Sequence, residues 1–199
     1  MVDFNDAGPQ RGFDLIPNGT IATVQMIINN GGLGEGGLLK QSKNGECQML
    51  DVEFTVVEGP YAKRKIFQPL VLSGSTKGQA EAAEICGALL RAILESAHGI
   101  DPNDKSEAAQ IKRKAEYANF NNLRFVAKIG IELTKNVAYR DKNIIRAAIT
   151  PNMKQWHPVE QLPASAQMGL SGLSGPSVTG AATATAKPAQ AIARPEWAQ

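Results

Sequence analysis

Cysteine is scarce in this sequence, and its spacing excludes two common uses. The two cysteines, Cys47 and Cys86, lack the close pairing of a zinc site and the density of a disulfide-rich secreted domain. They fall in a predicted strand and a predicted helix. We therefore expect both to be reduced core residues.

Long hydrophobic runs and a strong excess of one charge are also missing. No segment approaches the roughly 18 continuous apolar residues of a membrane span, and the polar N-terminus, Met1 to Arg11, is unlike a signal peptide. We expect a cytoplasmic protein that does not enter a membrane. The formal net charge is only +2, so a nucleic-acid-binding role requires local clustering of basic residues.

Residues that could carry catalysis are few. The two histidines, His98 and His157, have no cysteine or acidic partner at ligand spacing, and the serines lack a Gly-x-Ser-x-Gly motif. The glycine-rich residues 29–46 match neither phosphate-binding glycine motif. The sequence predicts a protein that is not an enzyme and that has no cofactor or metal. A nuclease with scattered carboxylates is the alternative, because two-metal sites leave weak sequence signatures.

The clearest structural signal is a β-hairpin over residues 47–72. Apolar and polar residues alternate strictly from Leu50 to Val56, which predicts a half-buried strand. Turn residues follow from Glu58 to Tyr61. The second apolar run, Ile66 to Leu72, contains Pro69, which cannot donate to a ladder and so favours an edge strand or a bend.

The other elements are predicted from the same periodicities. Further strands are predicted over residues 21–28, 123–133 and 144–149, and helices over residues 76–98 and about 106–117. Thr76 and Gln79 form a capping-box pattern, and Gly99 ends the first helix. Residues 29–46 hold six glycines and are predicted to be a long flexible loop.

Three strands, a helix and two strands predict a mainly β fold with the connectivity of the OB-fold. That fold is a five-stranded barrel whose strand 2 and 3 face and whose first and last loops bind oligonucleotides. A barrel of another connectivity is the alternative. We predict this domain over residues 1–160 and a disordered tail over residues 161–199, whose Ala, Gly, Ser, Thr and Pro composition buries too little apolar surface to fold.

Three segments resemble a family of phage and prophage proteins of formally unknown function. They are Asp14 to Thr20, Phe54 to Phe67 and Tyr139 to Asn143, within a resemblance that covers roughly residues 3–151. The family is found among phage replication and recombination genes, and some members are regarded as single-stranded DNA-binding proteins. The resemblance implies such a role here, in the cytoplasm of a bacterial host, and transfers no catalytic residue.

Single-stranded DNA is held by aromatic side chains that stack on bases and by basic side chains that track phosphates. The hairpin set of candidates is Tyr61, Lys63, Arg64, Lys65 and Phe67. The second set is Arg124, Lys128, Lys135, Tyr139, Arg140, Lys142 and Arg146. We expect the two sets to converge in an OB-fold. Alternatively, Phe67 belongs to the core, Tyr61 only covers the turn and the basic residues are ordinary surface.

Two features favour other partners. Asp51 and Glu53 lie on the outward face of their predicted strand, where carboxylates repel phosphate. With the near-neutral net charge, they favour a non-catalytic adaptor of a phage recombination or replication complex. Near the C-terminus, Trp197 follows Pro195 and is predicted to dock on a phage recombinase or replication protein. Alternatively, Trp197 is an incidental residue of the tail with no docking role. Pairing of strands between subunits, in a homo-oligomer, stays open.

Overall fold

The computed structural model describes Asp6 and residues 14–134 and 140–162. Its strands are β1 (Ile21–Asn29), β2 (Leu39–Gln41), β3 (Cys47–Val56), β4 (Lys65–Gly74), β5 (Arg124–Glu132) and β6 (Lys142–Ala148). Its helices are α1 (Lys77–His98) and α2 (Glu107–Lys112), with short 3-10 turns at Glu35–Gly37 and Tyr117–Phe120. The prediction of a mainly β fold with one long helix is confirmed.

All six strands belong to one antiparallel sheet. The pairing order is β2, β3, β1, β5, β6, and β4 also pairs with β3. Because the same residues of β3 pair with both β1 and β4, these two strands lie on opposite sides of β3. β2 pairs with Gln48 to Leu50, and β1 pairs with the residues of β3 that follow. β2 and β1 therefore lie one after the other along the same side of β3.

The outermost strands, β4 and β6, run in the same direction and meet without forming a ladder in the described part of the chain. One link between them is a side-chain contact, in which Gln68 Oε1 accepts a hydrogen bond from the backbone N–H of Ile145 at 2.8 Å. The sheet is therefore not closed, and the prediction of a five-stranded barrel is wrong in strand number and in closure.

The additional strand lies in the glycine-rich segment. Leu33 and Leu39 exchange two backbone hydrogen bonds of 3.0 and 2.9 Å, and β2 then pairs with β3. Gly31 is required beside this turn, because a Cβ atom there would lie 2.4 Å from the carbonyl carbon of Leu39. The prediction that residues 29–46 contain no regular element is therefore wrong.

Alternation along the strands sends one face of the sheet to the core. Val52, Phe54 and Val56 on β3 are buried, as their spacing predicts, and Phe54 packs edge to face on Phe125 with 6.0 Å between ring centroids. α1 adds buried residues from its C-terminal half, among them Ile93. Each such side chain contributes about 1.5 to 3 kcal/mol of burial free energy, so this face holds the sheet and helix together.

The predicted caps and turns are also present. Thr76 accepts a hydrogen bond from the N–H of Gln79 at the start of α1, and Gly99 ends the helix in the left-handed conformation. Gly59 has a φ of 82° in the turn between β3 and β4, a conformation that glycine adopts without strain. Pro69 lies within β4, which pairs with β3 alone, as expected for an edge strand.

The second helix is shorter than predicted, because Arg113 turns inward. Its Nε donates to Glu95 Oε1 on α1 at 2.8 Å, and its terminal nitrogens donate to the carbonyl oxygens of Asp101 and Asp104. The Arg113 side chain is only 14% exposed. Arg113 therefore faces the protein and not solvent, and it ties the segment after α1 to the helix.

Residues 150–162 continue the fold beyond β6. Trp156 Nε1 donates to the carbonyl oxygen of Ser96 on α1 at 3.0 Å. The Gln161 side chain donates to Arg124 O at 2.7 Å and accepts from Arg124 N at 3.0 Å. β6 pairs with β5 only from Ala127 onward, so this amide substitutes for a neighbouring strand at the start of β5. Gln161 is held in this way although the predicted domain stops at residue 160.

Candidate nucleic-acid interface

A row of four side chains crosses the outer face of the sheet, opposite the core. The register places Arg124, Gln25, Thr55 and Lys65 side by side on β5, β1, β3 and β4; we call these residues the outer row. Neighbouring strands are about 4.8 Å apart, so three spacings span about 14 Å. The row therefore carries a cationic residue at each end and polar side chains between them.

Phe67 stands in the adjacent row, opposite Glu53 and two residues after Lys65 on β4. Its side chain is outside the core, since the residue is 56% exposed. An aromatic ring on the solvent side of a regular strand has the geometry of a stacking platform for a planar base. The alternative that Phe67 is a core residue is therefore excluded.

The outward carboxylates are both paired with lysines. Lys40 Nζ lies 2.9 Å from Asp51 Oδ2, and Lys65 Nζ lies 2.7 Å from Glu53 Oε1. The Glu53 side chain is 11% exposed and also accepts from Thr55 Oγ1 at 3.2 Å. These contacts reduce the repulsion of phosphate expected from the sequence, but they also mean that the Lys65 charge is partly neutralised.

The three remaining hairpin candidates, at the tip between β3 and β4, differ in exposure and in their contacts. Lys63 is exposed, has a φ of 68° and forms no ion pair within the described chain. Arg64 Nη2 donates to the carbonyl oxygen of Asp14 at 2.6 Å. Tyr61 is half-buried against the core, as its alternative role of covering the turn requires. Lys63 thus differs from Lys65, which is also exposed but is paired with Glu53.

Arg124 and Lys128 share the outer face, as their spacing predicts, but a covered row separates them. That row contains Thr23, which is 4% exposed, and the buried Val126. Thr23 Oγ1 donates to Glu58 Oε1 at 2.6 Å and lies 3.2 Å from His157 Nε2. The covered row therefore lies between the outer row and Lys128.

The remaining candidates of the second set surround the far ends of β5 and β6. Lys142 is paired with Glu132 at 3.0 Å, Arg146 Nη2 donates to the carbonyl oxygen of Ile131 at 3.3 Å, and Arg140 is exposed. Lys135, Tyr139 and Trp197 lie outside the described residues. Of the described members of the second set, only Arg124 joins the hairpin residues Lys65 and Phe67 on one surface.

Two polar residues of this surface were missed by sequence reasoning. Gln25 Nε2 donates to Asn122 Oδ1 at 2.9 Å, and Gln25 Oε1 accepts from Arg124 Nε at 3.3 Å. The period of two along β1 places Gln25 on the outward face and could have identified it. No local pattern identifies Asn122, whose φ of 63° and contact with Gln25 depend on the fold.

The two cysteines and His98 are not members of the outer row. Cys47 and Cys86 are free thiols, as predicted, and burial raises the pKa of Cys86. Burial, and secondarily the charge of Lys112, lowers the pKa of His98. Within the described segments, no three His, Cys, Asp or Glu side chains are grouped to hold a metal ion. No helix there is long and apolar enough to cross a bilayer.

Comparisons of the chain with protein-family models, with curated proteins and with solved structures found no match. The function must therefore be inferred from the chemistry of the outer face. This face offers an exposed aromatic ring, a guanidinium and lysine ammonium groups, a combination suited to binding an anionic polymer with planar groups.

Proposed function

We propose that this protein binds single-stranded DNA on the outer face of its sheet, without strong sequence preference. The observation that supports this most directly is the exposed ring of Phe67, beside the row that carries Lys65 and Arg124. Stacking on an aromatic ring contributes about 1 to 3 kcal/mol per base and accepts any base. Basic side chains that contact phosphates add affinity without reading sequence.

The connectivity of the sheet supports the same function. The pairs β1–β3, β3–β4, β1–β5 and β5–β6, with α1 between β4 and β5, match the five-strand, one-helix order expected of an OB-fold. β2 is then an addition, and the β4–β6 seam is open. In OB-folds the face of the second and third strands binds oligonucleotides, and here those strands are β3 and β4, which carry Thr55, Lys65 and Phe67.

The resemblance of residues 14–20, 54–67 and 139–143 to phage proteins supports a place in phage DNA replication or recombination. The proposal includes no catalytic step and no cofactor. The C-terminal segment with Trp197 would dock on a phage recombinase or replication protein, because an aromatic side chain can fill a pocket on a partner.

The test measures binding of the full chain to poly-dT across a salt series, with fluorescence anisotropy as the readout. The logarithm of the binding constant should fall linearly with the logarithm of salt concentration, by about 0.7 for each phosphate contact. Phe67→Ala should weaken binding by about 5- to 150-fold, the equivalent of one stacked base. This variant should keep the salt slope, because a stacking ring carries no charge.

Two further variants make the result specific to stacking. Phe67→Tyr should retain most of the affinity. Ile111→Ala removes a similarly exposed apolar side chain, 60% exposed, from α2 and should leave binding unchanged. If the unmodified protein does not bind poly-dT even at low salt, the DNA-binding proposal is wrong.

A non-catalytic adaptor is the second candidate, and one surface favours it. A groove of about 460 Å³ runs between α1 and β6, with Ile85, Leu89, Ile144 and Met153 among its lining residues. Ile85 is 70% exposed and Met153 is 43% exposed, and contiguous exposed apolar surface is typical of protein contacts. Absence of DNA binding in the salt series would favour this function.

A further inference from the structure

Arg124 is held at both its backbone and its side chain. Gln161 bonds the backbone N–H and carbonyl oxygen of Arg124 at 3.0 and 2.7 Å. Gln25 Oε1 accepts from Arg124 Nε at 3.3 Å, and Gln25 is itself held by Asn122 at 2.9 Å. These contacts restrict the main chain and one edge of the guanidinium, so the side chain is oriented before any ligand arrives.

The other edge of this guanidinium has no partner among the described residues. In the described part of the chain, no hydrogen bond or ion pair involves the terminal nitrogens of Arg124. Arg91 and Arg113, by contrast, are both paired with Glu95. Two terminal nitrogens with their N–H groups directed away from a fixed Nε form the planar fork that binds phosphate oxygens in pairs.

We propose that Arg124 is a phosphate-binding residue of the outer face and that Gln25 is the residue that positions it. This inference rests on the proposed function and specifies the path of the nucleic acid. The DNA strand crosses β5, β1, β3 and β4. One of its phosphates contacts Arg124, and one of its bases stacks on Phe67. The buried row of Thr23 and Val126 separates this path from Lys128.

The polar centre of the path fits a nucleic-acid strand between these two contacts. Thr55 and Gln25 occupy the middle of the outer row, and Glu53 beside them is paired with Lys65. Arg124 and Lys65, at the two ends of the outer row, are about 14 Å apart, from three strand spacings, and Phe67 lies two residues after Lys65 on β4. The path therefore places its charged contact and its stacking contact at opposite edges of one polar strip.

The experiment measures poly-dT affinity and salt slope for the full chain and its variants. Arg124→Gln removes the charge while keeping a polar side chain, and it should lower the slope by about 0.7, the value for one lost phosphate contact on a single strand. Arg124→Lys should keep the slope but weaken binding, because an ammonium lacks the planar fork. Lys128→Gln is the matched control on the same strand and should change neither quantity.

The positioning role of Gln25 is tested by a double-mutant cycle. Gln25→Ala should weaken binding in the unmodified protein, and it should have no further effect when Arg124 is already Gln. Equal weakening in both backgrounds would show that Gln25 does not act through Arg124. Near-ultraviolet circular dichroism of each variant verifies that it is folded, and Gln25→Met serves as a second, uncharged substitution if the alanine variant is not.

The outcomes separate this inference from the proposed function. No binding of poly-dT by the unmodified protein would overturn both. Binding that is retained with an unchanged slope in folded Arg124→Gln would overturn the phosphate site alone and leave the stacking role of Phe67 intact. A lowered salt slope in Lys128→Gln would show that the DNA crosses the covered row to reach Lys128, and it would overturn the proposed path.

Discussion

Removal of the buried carboxylate of Glu95 should strongly destabilise the fold. Glu95 Oε1 accepts from Arg91 Nε and Arg113 Nε, both at 2.8 Å, and the Glu95 side chain is 4% exposed. Glu95→Ala leaves the Arg113 guanidinium, which is 14% exposed, without its counter-charge. Breaking such a buried pair by removing one partner typically costs about 3 to 5 kcal/mol.

The assay is equilibrium unfolding in urea, with the free energy of unfolding obtained by linear extrapolation. Glu81→Ala is the matched control, because Lys77 and Glu81 form the other i,i+4 pair on α1, at 3.9 Å and with exposed side chains. It should lie within about 0.5 kcal/mol of the unmodified protein. The large loss should thus be confined to the buried pair.

A second variant tests the physical cause. Replacing Glu95 and Arg113 together, by Leu and Met, removes both charges and keeps an apolar volume. This double variant should be more stable than Glu95→Ala, since an unpaired buried charge is costlier than no charge. Two results would contradict this explanation: a loss of less than about 1 kcal/mol in the free energy of unfolding of Glu95→Ala, or a double variant no more stable than Glu95→Ala.

Three further predictions concern stability. The pKa of His98 is lowered from 6.5 in the folded state, so the unfolded chain binds the proton more readily and stability should fall as pH drops below about 6.5. In a profile of the urea midpoint against pH, His98→Gln should flatten this part of the curve. A variant profile identical to that of the unmodified protein would contradict the role of His98. Gly31→Ala should lower the melting temperature because its Cβ would meet the β2 backbone at 2.4 Å, whereas Gly78→Ala, with open space in α1, should raise it. Gln161→Ala should speed hydrogen exchange at the Arg124 amide and cost about 1 to 3 kcal/mol; unchanged exchange there would show that the side-chain bond does not protect β5.

The elements that sequence predicted are those fixed by nearby residues. The alternation from Leu50 to Val56 and the Thr76 capping box each involve residues within one strand or one helical turn. The elements that failed depend on distant partners. β2 exists because the side of β3 beyond β1 is available to it, and α2 ends early because Arg113 reaches Glu95, 18 residues away.

The same distinction applies to the candidate surface. Period two along β4 places Lys65 and Phe67 on one face, which sequence could predict and the structure shows. The covered row could not be predicted, because it depends on a contact between Thr23 and His157, which are 134 residues apart. The lysine partners of Asp51 and Glu53 likewise come from neighbouring strands, so the strand's own sequence gave no sign of them.

The seam between β4 and β6 makes the curvature of the sheet adjustable. β4 is joined to β3 by a ladder of nine residue pairs, whereas a contact between β4 and β6 is made by the single side chain of Gln68. Flexing between laddered strands must distort several backbone hydrogen bonds together, but a change in width at the described seam disturbs no backbone ladder. Gln68 thus ties the two outermost strands through a side chain, which can follow such a change by rotating about its own bonds.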